Sequence, residues 1–286
     1  MSLFKFSLIV GFLATNLSTG NAIAQHRFTI AQTNISITSF SDWCSQEKSL
    51  PEATQKTINA IVKSLRVENC QQAAEIVPKV FSINISSQEI SDLRPLASFI
   101  NISELTLYDN EIVDISPLKS MINLKKLILG HNQISDLTTL NSLTNLEKLY
   151  ISDNKIDDIK PLSSLTKLQT IYINENNVSD LQPLNNLTNL RELYANNNKI
   201  FDLTPLSNLT NLQELYLDKN EISNLSPLST LKNLEELSLN NNKITDSDIE
   251  SLWDLDSLKQ LYIHDNPVSR QFCPNNKNAL CFIGNR

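Results

Sequence analysis

Glycine is scarce in this chain of 286 residues, with four copies in all, and no Gly-rich phosphate loop can be drawn from them. Histidine is scarcer still. His26, His131 and His264 are the three copies, and neither a His-Glu-x-x-His helix nor a nucleophile elbow is present. Basic surplus is missing as well. Lys and Arg number 24 against 31 Asp and Glu, a net charge of −7, so a phosphate-binding surface of the kind nucleic acid requires is not expected. No stretch reaches the ~20 apolar residues of a membrane helix. Cysteine is absent from the whole middle of the chain, its four copies lying at Cys44, Cys70, Cys273 and Cys281.

What the chain has in abundance is asparagine at a fixed interval. Asn110, Asn132, Asn154, Asn176, Asn198, Asn220 and Asn242 follow one another every 22 residues, with Gln88 one period earlier and Asn266 after a step of 24. Around each the frame reads Leu-x-Leu-x-x-Asn-x-Ile-x-Asp-Leu/Ile-x-Pro-Leu, as in Leu105, Leu107, Asn110, Ile112, Asp114, Ile115, Pro117 and Leu118. A period in this range marks a leucine-rich-repeat solenoid, whose coils bury apolar surface only by stacking on one another. In Leu-x-Leu the leucines face inward and the intervening residues outward, so each coil contributes a short strand to a parallel concave sheet. The asparagine amide then bonds turn backbone that would otherwise be buried and unpaired. Pro117, Pro161, Pro183, Pro205 and Pro227 open the convex segment, where a fixed φ suits a 3₁₀-type turn.

Stretches such as "LTNLQELYLDKNEISNLSPL" (209–228) resemble the 22-residue repeats of internalin-type bacterial proteins, over about residues 80–269. With the cysteine-bearing ends, "SFSDWC" (39–44) resembles secreted leucine-rich-repeat proteins of cyanobacteria. The resemblance implies a right-handed α/β solenoid of about nine coils that serves as a binding scaffold, and it names no partner.

The termini are read separately. Lys5 precedes a short apolar run, Phe6 to Ala14, and Ala22-Ile23-Ala24 supplies the small residues of a signal-peptidase site, so residues 1–24 are expected to be a cleaved signal peptide. The protein is then secreted, to the periplasm or beyond, without a transmembrane segment in the mature chain. Residues 25–38 read as a flexible linker, 39–79 as a helical N-terminal cap and 270–286 as a short C-terminal cap. Within the first cap, Ile58, Ile61, Val62 and Leu65 follow helical spacing over residues 50–66, and a second helix is expected from Gln71 to about Lys79. An even cysteine count at the two ends of an exported chain implies disulfides. Because the ends of a long solenoid cannot meet, the local pairs Cys44 with Cys70 and Cys273 with Cys281 are expected, each worth roughly 3 kcal/mol to a terminal coil. After Asn242 the frame breaks, and Ser247 with Glu250 matches a capping box for a short α-helix.

Function is sought on the concave face. The central outward residues of successive strands are Asn84, Thr106, Ile128, Tyr150, Tyr172, Tyr194, Tyr216, Ser238 and Tyr262, so four consecutive coils stack tyrosine over roughly 14 Å. The flanking positions carry Glu104, Asp109, Asp153, Glu175, Glu192, Glu214, Asp218, Glu236 and Asp265 against Lys126, Lys148 and Lys219. The candidate binding residues are therefore Tyr150, Tyr172, Tyr194, Tyr216 and Tyr262 with Asp153, Glu175, Glu192, Glu214 and Asp218. Tyrosine gives contact area at low entropic cost and recurs in binding hot spots. The expected partner is a protein, peptide or glycan of basic or neutral character, met by a monomer without metal or cofactor. Tyrosine also has high β propensity, and a rigid cell-envelope spacer is the alternative role. An enzyme is not expected: His131 and His264 lie six coils apart, and each repeated Asp, such as Asp114, Asp158, Asp180 and Asp202, is alone in its coil, whereas a cation needs converging oxygens.

Overall fold

The computed structural model describes residues 39–268 and 280–284. The expected signal peptide (1–24), the expected linker (25–38) and Cys273, with its expected pairing to Cys281, fall outside these residues.

Among the described residues ten short strands form one open sheet in chain order, every neighbouring pair parallel. They are β1 (Ser82–Asn84), β2 (Glu104–Thr106), β3 (Lys126–Ile128), β4 (Lys148–Tyr150), β5 (Thr170–Tyr172), β6 (Glu192–Tyr194), β7 (Glu214–Tyr216), β8 (Glu236–Ser238), β9 (Gln260–His264) and β10 (Leu280–Gly284). The repeat dictates the register, because residues 22 apart stand opposite each other: Leu105 pairs with Leu127, and Tyr172 with Tyr194. The sequence count was about nine coils. The tenth strand comes from a segment expected only to close the solenoid, which instead extends the sheet by pairing parallel with β9.

The frame leucines and isoleucines make one continuous core, with Leu105, Leu127, Leu149, Ile171, Leu193, Leu215 and Leu237 all fully buried. The convex side consists of 3₁₀ turns such as Ser116–Ser120, Lys160–Ser164 and Ser226–Thr230, each with proline in its first turn. Thr138–Ser142 forms the same turn without proline. What the turns share is a carboxylate or amide two residues before the first helical N–H. Asp114, Asp136, Asp158, Asp180 and Asp202 each accept such a bond at 2.7–2.8 Å. The repeated aspartates are thus engaged with turn backbone.

The asparagine ladder sits just inside the sheet. Asn176, 9 % exposed, donates its amide to the carbonyls of Ile151, Ile173 and Asn174 and accepts the N–H of Ile156 one coil back, all at 3.0–3.2 Å. Each of these side chains ties two coils together.

Among the described residues three helices lie ahead of the first coil: α1 (Phe40–Gln46), α2 (Glu52–Leu65) and α3 (Cys70–Ile76), the last continued by a 3₁₀ turn at Val77–Lys79. The spacing of apolar residues signals α2, which buries Ile58 and Ile61 fully. α1 is too short to show a period. It is started by a capping box in which Ser39 N–H donates to Asp42 Oδ2 at 2.8 Å and Asp42 N–H to Ser39 Oγ at 3.2 Å. Phe40 then meets Phe99 of the first coil edge-on, with ring centroids 6.1 Å apart. The Cys44–Cys70 disulfide joins α1 to α3. At the other end α4 (Asp246–Ile249) replaces a 3₁₀ turn as expected, but its capping pair is Thr245 with Asp248 rather than Ser247 with Glu250. The Thr245 N–H and hydroxyl both reach the Asp248 carboxylate, at 2.8 and 2.7 Å, which starts the helix two residues early.

Candidate functional site on the concave sheet

Strand register alone assembles the tyrosine column, since Tyr150, Tyr172, Tyr194 and Tyr216 occupy one position on β4 to β7. Their rings stack along the solenoid, with centroids 4.8, 4.0 and 4.5 Å apart and planes tilted by 32°, 14° and 9°. The Lys126 ammonium lies 6.0 Å from the Tyr150 ring at the open end of the stack. Tyr262 does not join these four. Ser238, small and 3 % exposed, stands between, and Tyr262 instead stacks on Phe282 of β10 at 4.8 Å and 6°. Phe282 carries no repeat signal, so sequence inspection overlooks it.

The phenol groups are bonded within the column. Tyr194 donates its hydroxyl to Glu214 and Tyr216 donates to Glu236 at 2.5 Å, in each case one coil further on. Burial against neighbouring rings, and then the accepting carboxylates, push both phenols well above the ordinary value of 10.0, so they stay protonated donors across the physiological range. Tyr150 is raised too, chiefly by burial.

The acidic residues named from sequence separate into three positions. Glu192 and Glu214 open β6 and β7, beside the rings, and Thr170 on β5 bonds Glu192 at 3.2 Å. The same position carries Glu104 on β2 and Lys126 and Lys148 on β3 and β4, so this row is basic at β3 and β4 and acidic from β6 onwards. Asp218 belongs to a second ladder, in which a side-chain oxygen accepts the backbone N–H of the next coil: Ser152 from Asn174, Asn174 from Asn196, Asn196 from Asp218 and Asp218 from Asn240. Its carboxylate also accepts from the Ser238 hydroxyl at 2.6 Å and the Asn240 amide at 3.1 Å. Asp218 is therefore held by the fold and is less available to a ligand than its charge suggests. Asn174 and Asn196 signal this ladder, once recognised, as clearly as the first.

Asp153 and Glu175 lie off the strands, in the turn that follows, with φ of 55° and 54°. The turns after β1 to β9 all adopt this left-handed conformation here, where asparagine and aspartate fit better than most residues. His131, at φ 57°, occupies the same position between Asp109 and Asp153. Its Nδ1 bonds Asp153, its Nε2 lies 3.4 Å from Asp109, and its ring stacks on Tyr108 with centroids 6.0 Å apart. The bond to Asp153 and the charges of Asp153, Asp109 and Glu175 raise the imidazole pKa above its ordinary 6.5. The stabilisation from this clamp is complete below the unfolded-state value and is lost as pH rises through the higher folded-state value. A ring-proton titration of His131 should therefore have its midpoint above 6.5, and Asp153→Asn should bring it down. A midpoint at or below the ordinary value would show the clamp is not formed in solution.

Among the described residues no group of three or more His, Cys, Asp or Glu side chains is placed to hold a metal ion. No helix among them is long and apolar enough to cross a membrane.

Comparison with known proteins places this architecture. The "Leucine Rich repeats (2 copies)" model matches residues 122–164 and 166–209, and the "Leucine rich repeat" model matches residues 210–268. No curated protein matches the chain. Among solved structures, internalin C2 of Listeria monocytogenes is 30 % identical with a TM-score of 0.67, over 73 % of this chain and 92 % of its own. A leucine-rich-repeat protein of Leptospira interrogans shares the fold, at 24 % identity and a TM-score of 0.67, over 73 % of this chain and 56 % of its own. The ectodomain of the Arabidopsis thaliana receptor kinase GASSHO1/SCHENGEN3, solved with CASPARIAN STRIP INTEGRITY FACTOR 2, is 26 % identical with a TM-score of 0.59, over 68 % of this chain and 25 % of its own. The period, the stacked parallel strands and these matches together make the chain a member of the leucine-rich-repeat family.

Proposed function

We propose that this is an exported binding protein whose concave sheet recognises a protein, peptide or glycan of basic or neutral character through the tyrosine column and its glutamates. The observation that carries this reading is the four-ring stack at 4.0–4.8 Å. Rings locked against one another and bonded at the hydroxyl lose little further entropy when a partner lands, which is the condition for an aromatic anchor. Glu192, Glu214 and Glu236 alongside favour a cationic group opposite β6 to β8. The receptor-kinase ectodomain solved with CASPARIAN STRIP INTEGRITY FACTOR 2 is consistent with such use of the scaffold. Export is supported by the signal-like N-terminus and by the Cys44–Cys70 disulfide, a bond suited to oxidising compartments. Monomeric action in the periplasm or outside the cell completes the reading.

A rigid cell-envelope spacer is favoured by one observation, that Tyr194 and Tyr216 already spend their hydroxyls on Glu214 and Glu236. Partner capture separates the two. Tyr172→Ala combined with Tyr194→Ala should weaken a captured partner by at least ~2 kcal/mol, about 30-fold, because central aromatic anchors dominate interfaces. A folded double variant that binds with unchanged affinity in calorimetry would leave the spacer reading standing.

A further inference from the structure

The end of the sheet at β1 is only partly closed. Ile85 N–H donates forward to Thr106 C=O at 2.8 Å, and Phe81 C=O accepts from Glu104 N–H at 3.1 Å, so the odd-numbered residues face β2. The backbone groups of Ser82, Asn84 and Ser86 therefore point the other way, towards α2. Several are satisfied locally. Asn84 C=O accepts the Ser64 hydroxyl at 2.6 Å, Ser86 N–H reaches Asn84 Oδ1 at 3.0 Å, and Ser86 C=O accepts the Gln88 amide at 3.0 Å. Among the described residues, no protein group meets the Ser82 C=O or the Asn84 N–H. These two belong to a single step of a parallel ladder. One residue of a further strand, opposite Ile83, would donate to the first and accept from the second, the pattern by which each coil joins the next.

The space for such a strand exists. A groove of about 460 Å³ runs between residues 82–86 and the end of α2, where Lys63, Ser64, Leu65 and Arg66 form the opposite wall. That volume falls within the range of ligand sites. No carboxylate lines it, and Lys63 and Arg66, both exposed, form no ion pair among the described residues. Lys63 Nζ is held by Gln88 Oε1 at 3.0 Å, which keeps the ammonium at the rim. The lining of this groove is thus opposite in charge to the glutamate row on β6 to β8.

We propose that the groove binds an extended, acidic peptide segment of a partner, which adds to the sheet as a parallel strand ahead of β1 with a carboxylate between Lys63 and Arg66. Main-chain bonds to Ser82 and Asn84 give the affinity, and the cationic rim selects the acidic side chain. The site lies at β1, outside the tyrosine column, so either can fail without the other.

The test is a titration of the isotope-labelled full chain with a capped pentapeptide of β-branched residues carrying one aspartate. Two controls accompany it, one N-methylated at the central residue and one with lysine in place of aspartate. Shifts are expected at the amides of residues 63–66 and 82–86, with at least tenfold weaker binding for each control. Lys63→Glu with Arg66→Glu, on exposed positions, should reduce affinity for the acidic peptide tenfold or more and reverse the preference towards the lysine peptide. Asn84→Pro, which removes the edge N–H together with the Asn84 Oδ1 that accepts from Ser86, should act like the N-methyl control, whereas Asn84→Ala, which removes the side chain alone, should bind as the unaltered chain does. Equal affinity of the N-methylated peptide, shifts confined to β4 to β7, or no shifts at millimolar peptide would each overturn the proposal.

Discussion

Asn176→Ala is expected to lower the unfolding free energy by about 1–3 kcal/mol, the cost of leaving a buried donor unsatisfied. The truncation leaves the Ile156 N–H without its acceptor, while the carbonyls of Ile151, Ile173 and Asn174 each lose one of two donors and keep the Asn154 amide, the Asn198 amide and the Asp153 N–H. Alanine is too small to fill the space and too apolar to satisfy those groups, and water has little access at a position 9 % exposed. Because Asn176 joins two coils in the middle of the stack, the damage should spread in both directions, as expected where each repeat is held by its neighbours. Chemical denaturation of Asn176→Ala beside Asn123→Ala, whose amide makes one exposed bond to Ile100 C=O, would measure the contrast. Equal and small losses in the two variants would mean that the ladder is replaceable by solvent.

Removing the Cys44–Cys70 bridge is expected to cost about 3.5 kcal/mol by loop-closure entropy, given its sequence separation of 26. The loss should be local. The bridge joins α1 to α3, and of the solenoid these helices contact chiefly the first coils. Internal coils are supported on two sides and terminal coils on one, so the cap should fray first. In Cys44→Ala with Cys70→Ala, hydrogen exchange should rise across residues 40–105 while 150–220 stay protected. A uniform loss of protection along the chain would show one cooperative unit, in which the bridge acts as more than a local staple.

The candidate site was legible to different depths. The tyrosine column could be read directly, because a 22-residue period with in-register parallel pairing places equivalent residues side by side whatever the details of the coil. The roles of the acidic residues could not. Glu214, Asp218 and Asp153 look alike in sequence, but the first accepts a tyrosine hydroxyl, the second is fixed by Ser238 and Asn240, and the third clamps His131. Which of these occurs depends on the direction in which each side chain leaves its coil and on the neighbour 22 residues away.

The period by itself determined the solenoid, its parallel sheet, its 3₁₀ convex side and the inward asparagines, since repeated apolar spacing leaves a chain no other way to bury its leucines than by stacking coils. Tertiary structure decided what lies outside the period. The pairing of β10 with β9 and the stacking of Phe282 on Tyr262 join segments with no repeat between them, and α1 is set by one capping box and by the contact of Phe40 with Phe99. It also decided the partly open edge of β1, where α2 meets the strand through Ser64 and Asn84 and leaves a groove beside residues 82–86.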